Sequence, residues 1–160
     1  MGLAEVSSIL WRERELLELL LFKLDEEQLV LTSGRTRWLA RATKEVEMVL
    51  AEIRRAELAR ATEVDAAAAA LGLAPNPSLT QLAEASPESW AGLLREHRAA
   101  FLALTAEISQ LAEANRDLLT GGQQAAREAL LAFHDAEPTY TPAGSTVTTA
   151  ARARLWDEEL

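Results

Sequence analysis

The sequence predicts an all-α protein: an elongated, coiled-coil-like antiparallel helical hairpin with a short third helix and a flexible C-terminal tail. Three observations predict it. Alanine, leucine, glutamate and arginine dominate, and aromatic residues make up only 5% of the 160 residues, which is the composition of helices and coiled coils. Helix breakers are sparse, with 7 glycines and 5 prolines, and the first proline is Pro75. Finally, Trp90, Leu94, His97, Phe101, Leu104, Ile108, Leu111, Asn115 and Leu118 alternate steps of four and three without a break, the signature of a knobs-into-holes seam.

From Leu3 to Leu71 the chain holds no proline, and its only internal glycine is Gly34, so one long helix of roughly 100 Å is the simplest reading. Leu10, Leu17, Leu24, Leu31 and Trp38 recur every seven residues. The seam then shifts to Leu39, Val46 and Ile53, joined by Ala42, Val49 and Leu50. Such a register shift is a stutter. It falls beside Thr32, Ser33 and Gly34, weak helix formers that mark a bend or local unwinding.

Within that helix the stretch ELLELLLFKL, Glu15 to Leu24, is apolar on two sides. Leu17, Leu20, Leu21 and Leu24 share one face, and Leu19 and Phe22 point the other way. One neighbouring helix cannot cover both. The second face is open to three occupants: a guest segment, the chain's own C-terminal helix, or another copy.

LGLAPNPSL ends the first arm. Gly72 is placed as a C-cap, and Pro75 and Pro77 hold the residues before them extended. Ser78 with Gln81 reads as a capping box for a short helical segment, and Ser86 with Pro87 as the N-cap and first position of the return helix. TGGQQ is expected to break or kink that helix at Gly121 and Gly122, with a short helix following that carries Ala126, Leu130 and Phe133 on one side. After Pro138, TYTPAGSTVTTA has little to bury, so residues 136–160 are read as a flexible tail and 1–135 as the helical domain. Leu155 and Trp156 form a lone apolar pair near the end, either docked or left in solvent.

The chain has no cysteine, which excludes disulfides and thiolate chemistry and makes the cytosol the default compartment. No apolar run approaches the roughly 18 residues needed to span a bilayer, and Arg12 to Glu15 interrupt any signal-peptide pattern. A formal charge of −9 argues against general nucleic-acid binding. Arg35, Arg37, Arg41 and Lys44 cluster, which on a long helix is the pattern of a solvated face. The two histidines do not form a metal motif, because Leu94 and Leu131 stand three residues before His97 and His134 where a bundle centre needs glutamate. His97 reads as a satisfied or partly exposed core histidine, and His134 as an imidazole near a helix C-terminus. No catalytic, cofactor-binding or metal-binding residue is expected. Asn115 in the seam has two readings, a polar residue that fixes register or a point where the seam opens to another chain.

The form ILWRERELLELLLFKLDEEQLVLTSG, a proline-containing turn, a return helix ending EISQLAEANRDLLTGG and a tail with YTPAG resemble the FlgN family of flagellar export chaperones over roughly residues 8–145. The resemblance implies a cytosolic chaperone that binds the C-terminal amphipathic helices of hook-filament junction (hook-associated) proteins and brings them to the gate of the flagellar type III export apparatus. Asn115, Leu118 and Leu119 match the family's asparagine-rich stretch, with one asparagine where the family often has two. Tyr140 and Gly144 match its tyrosine, three residues, glycine signature, implying a dock for the gate's cytoplasmic domain. Asn115, Leu118, Leu119, Leu130, Leu131 and Phe133, with Leu19 and Phe22 as the apposed face, are the client-binding candidates, most of them apolar residues left over once the seam is filled. The alternative is a homodimeric coiled-coil adaptor or structural protein of another secretion or division system.

Overall fold

In the computed structural model the described residues are 2–136, 139–140 and 146–147, with side chains described through residue 134. Among the described residues the protein is all-α apart from one two-residue ladder, and long helices pack against one another in a hairpin-like arrangement. The helices are α1 (Leu3–Ser33), α2 (Leu39–Ala70), α3 (Leu79–Ala85) and α4 (Glu88–Ala136).

The first arm is two helices. At Gly34 the backbone turns left-handed, with φ 69°, a 3-10 turn Thr36–Trp38 follows, and α2 runs back along α1. Glycine enters this region without the steric cost that a Cβ imposes. The local hydroxyls complete the end of α1: Thr32 donates to the Gln28 carbonyl (2.9 Å) and Ser33 to the Val30 carbonyl (2.9 Å), while Ser33 Oγ accepts from the Arg35 N–H. The weak formers expected to bend one helix instead end it. What reads as a stutter is the junction of two separate seams.

The α2–α3 connection follows its sequence signals. Gly72 is left-handed (φ 73°), and the Leu73 N–H reaches the Ala68 carbonyl at 2.8 Å, a Schellman end. Ser78 and Gln81 exchange bonds of 2.9 and 3.1 Å in a reciprocal capping box. Ser86 does something different: its hydroxyl donates back to the Leu82 carbonyl at 2.6 Å, closing α3 rather than opening α4.

The chain forms two compact units, Met1–Asn115 and Arg116–Leu160. In the first, α1, α2, α3 and the start of α4 enclose one apolar cluster around Val6, Leu10, Val64, Leu82 and Leu94. A second cluster joins Leu20 and Leu24 to Val46 and Val49, with Ile108 and Leu111 packed on it. Packing of Val6 and Leu10 with Val64 and Ala67, and of Leu20 and Leu24 with Val46 and Val49, makes α2 antiparallel to α1, whereas α4 ascends beside α1. In the second unit α4 continues without a break through Gly121 and Gly122 to Ala136, so the short third helix expected after them is the last part of α4. Within the segment read as a flexible tail, β1 (Thr139–Tyr140) and β2 (Thr146–Val147) pair antiparallel, Tyr140 opposite Thr146. Gly144, Leu155 and Trp156 lie outside the described residues.

Candidate functional site

The buried stripe of α1 is Val6, Leu10, Glu13, Leu16, Leu20, Leu24 and Glu27. Two of these are glutamates, so the stripe is not the purely leucine one that apolar periodicity predicts, and Leu17 and Leu31 are only half-buried. Each glutamate is held. Glu13 accepts from Arg60 at 2.8 Å, yet burial, outweighing the Arg60 charge, pushes its carboxyl above the usual carboxylate range. Glu27 accepts from Thr43 Oγ1 (3.0 Å) and from Asn115 Nδ2 (3.1 Å).

Asn115 also donates to the Leu24 carbonyl at 2.9 Å and is buried. It ties α4 to α1 at one axial position, the register role of a seam asparagine, and in this packing it presents no surface to a guest. His97 is fully buried between Trp11 (4.9 Å, edge-on) and Phe101 (6.3 Å). Neither ring nitrogen has a hydrogen-bond partner among the described residues, so it is a core histidine without the satisfaction expected of one. Burial first, then the Arg14 charge, holds its imidazole below the usual value.

Opposite the buried stripe, α1 carries an exposed apolar one. At about 100° per residue, Trp11, Phe22 and Leu29 fall within about 20° of one another, with Leu19 on the flank. Trp11, Phe22 and Leu29 are 47%, 56% and 69% exposed. Glu15 and Glu18 lie between them, and Lys23 sits over the Phe22 ring at 5.5 Å while bonding Glu26 (3.1 Å) and Glu45 (3.0 Å). That ion pairing, led by the Lys23 bond, holds the Glu45 carboxyl below its usual range. Leu19 and Phe22 were legible as a second face. Trp11 and Leu29 were missed, although spacings of eleven and seven residues from Phe22 were the signal for them.

In the second unit, Leu119, Ala126, Leu130 and Phe133 follow steps of seven, four and three along α4 and form one stripe. Leu130 and Phe133 are 61% and 60% exposed. Leu118 flanks the stripe, and Leu131 projects about 100° or more away from it. Phe133 and His134 meet edge to face at 6.3 Å. The structure thus gathers Leu119, Leu130 and Phe133 on one face and leaves Leu131 off it.

Among the described residues no group of three His, Cys, Asp or Glu side chains is placed to hold a metal, and no helix is long and apolar enough to cross a membrane. What the exposed stripes offer is apolar area at helical spacing, the complement of another amphipathic helix. A model of the FlgN family, described as FlgN protein, matches residues 1–148. No curated protein and no solved structure matches the chain. The helical hairpin and a family match over almost the full length lead to one conclusion: the chain belongs to the FlgN family, the flagellar export chaperones.

Proposed function

We propose that this chaperone works in the cytosol, covers the C-terminal amphipathic helices of hook-filament junction proteins, prevents their premature assembly, and delivers them to the flagellar export gate. The observation that carries the reading is the pair of apolar stripes, the exposed Trp11, Leu19, Phe22 and Leu29 on α1 and the exposed Leu130 and Phe133 with half-buried Leu119 on α4. A chain of net charge −9 stays soluble while displaying them. A free client helix would aggregate through an equivalent stripe, so a chaperone with no catalytic step need only supply a matching apolar surface. Leu118 extends the client surface at its edge, and Leu131, exposed on another side of α4, adds a separate contact. Tyr140, with Gly144, is the dock for the cytoplasmic domain of the gate. A tyrosine can bury its ring in a partner while its hydroxyl finds a hydrogen bond.

Co-expression with a hook-filament junction protein tests holding, and a pull-down tests delivery. Light scattering should show a client complex that stays soluble, and a client-free chain that does not depend on dimerisation. Tyr140→Ala should keep the client yet lose the gate domain. A stable homodimer that ignores clients would favour the coiled-coil adaptor instead, and equal gate retention by parent and variant would remove Tyr140 from delivery.

A further inference from the structure

On the side of α1 that meets α4 the surface is acidic, and its acids are unpaired. Between Glu15 and Ser33 the only basic residue is Lys23, and between Ala99 and Asn115 on α4 there is none. Lys23 is engaged with Glu26 and Glu45, and Arg14, on the α4 side of α1, stacks on the Trp11 ring at 4.4 Å. Here α1 and α4 leave a cleft of about 350 Å³ with Leu21, Leu111 and Ala114 as its apolar lining, Asp25 from one helix and Glu107 and Gln110 from the other. Asp25, Glu107 and the nearby Glu18 are exposed, and none of the three has an ion-pair partner among the described residues. Asp25 stands three residues after Phe22 and four before Leu29, and Glu18 stands four before Phe22, so both acids edge the exposed α1 stripe on its α4 side.

An apolar floor between unpaired carboxylates suits a side chain with an apolar stem and a cationic head, which is the build of lysine and arginine. Taking the α1 stripe as the client surface, we infer that the α1–α4 cleft receives a lysine or arginine from one edge of the client helix, its stem on Leu21, Leu111 and Ala114 and its cation between Asp25 and Glu107, and so selects clients that are basic along that edge. A second basic residue seven positions away, about two turns along the guest, meets Glu18. The Gln110 side-chain oxygen is a further acceptor for the same head group. A second copy of this chain is a poorer occupant, because a two-fold contact sets the same patch against itself and brings Glu18, Asp25 and Glu107 against like charges. An anionic bilayer meets the same repulsion.

The test is fluorescence anisotropy on the full chain with three labelled helical peptides of about 19 residues, the length of α1 from Trp11 to Leu29. They share one leucine stripe and differ only at two edge positions seven residues apart, which hold lysine, glutamine or glutamate. Affinity should fall in that order, lysine over glutamate by at least about tenfold, and the spread should narrow as salt rises. Asp25→Asn with Glu107→Gln should weaken the lysine peptide by about threefold or more and leave the glutamine peptide unchanged. Asp25→Lys with Glu107→Lys should reverse the order. Glu47→Lys with Glu84→Lys, the same change of net charge at exposed positions on α2 and α3, should keep it. All four acids are exposed, so circular dichroism should not change in any variant. Equal affinities for the three peptides, an order that Asp25→Lys with Glu107→Lys leaves unaltered, or a reversal produced equally by the Glu47 and Glu84 pair would each overturn the inference, while binding of the glutamine peptide keeps the stripe as a client surface. Binding of none of the three would remove the stripe and the inference together.

Discussion

His97 occupies a seam position where a leucine would fit the pattern, and its ring lies between Trp11 and Phe101 with both nitrogens unpaired among the described residues. Burial favours the neutral ring; Arg14 adds to this and Glu96 opposes it. The folded protein therefore takes up a proton less readily than the unfolded chain, whose imidazole titrates near the ordinary 6.5. Stability from this group is complete above that value and is lost as the pH falls below it. Glu13 acts in the opposite sense, since its raised carboxyl costs stability when charged and that cost is relieved as the pH falls through the raised value. Comparing parent with His97→Leu cancels the Glu13 contribution. The variant should be more stable, with an advantage that widens from about pH 7 to about pH 5.5 and reaches at least about 1 kcal/mol in urea titrations. An advantage that stays constant with pH would show that His97 does not titrate on unfolding. At this scale the seam was readable, because Trp90 to Asn115 are protected wherever the four-three spacing put them. The bonds of Glu27 to Thr43 and to Asn115 were not, because they join residues far apart in sequence that only the α1–α2 reversal and the packing of α4 beside α1 bring together.

Helix ends depend on which residue can stop a helix, and the two glycine sites show opposite outcomes. Gly34 reverses the chain because it follows two residues whose hydroxyls take over terminal carbonyls and because its left-handed backbone suits glycine. Gly121 and Gly122 sit among glutamine, alanine, arginine, glutamate and leucine, strong helix formers that offset a cost of about 1 kcal/mol per glycine. Nothing lies within 4 Å of a Cβ built at either. Gly121→Ala with Gly122→Ala should therefore raise far-UV helicity and stabilise this part of α4 by about 1 kcal/mol per substitution. Slower hydrogen exchange around residues 119–126 is the check, and a loss of helicity would mean that the glycines serve as a hinge. The sequence made both sites visible as weak points. It did not rank them, since breaking depends on capping and tertiary reward rather than on the glycine itself. The Gly72 end and the Ser78–Gln81 box were legible because each motif is complete within a few residues.

For the molecule as a whole, the family follows from the match over residues 1–148, and the proposed mode of action rests on apolar area that the fold leaves uncovered. Leu19, Phe22, Leu130 and Phe133 were legible as surplus leucines and phenylalanines once the seam was filled. Trp11 and Leu29 became visible only when the buried stripe was known to contain Glu13 and Glu27, which fixed the outward direction of α1. Leu130 and Phe133 are well exposed, so truncating them should change folding stability by no more than about 0.5 kcal/mol and leave binding as the readout. The most direct measurement is isothermal calorimetry of the full chain with the C-terminal helical segment of a hook-filament junction protein, parent against Leu130→Ala with Phe133→Ala. The account predicts saturable binding by the parent and an affinity at least about tenfold lower in the variant, about 1.4 kcal/mol, with circular dichroism unchanged. Equal affinities in a fully helical variant would contradict it.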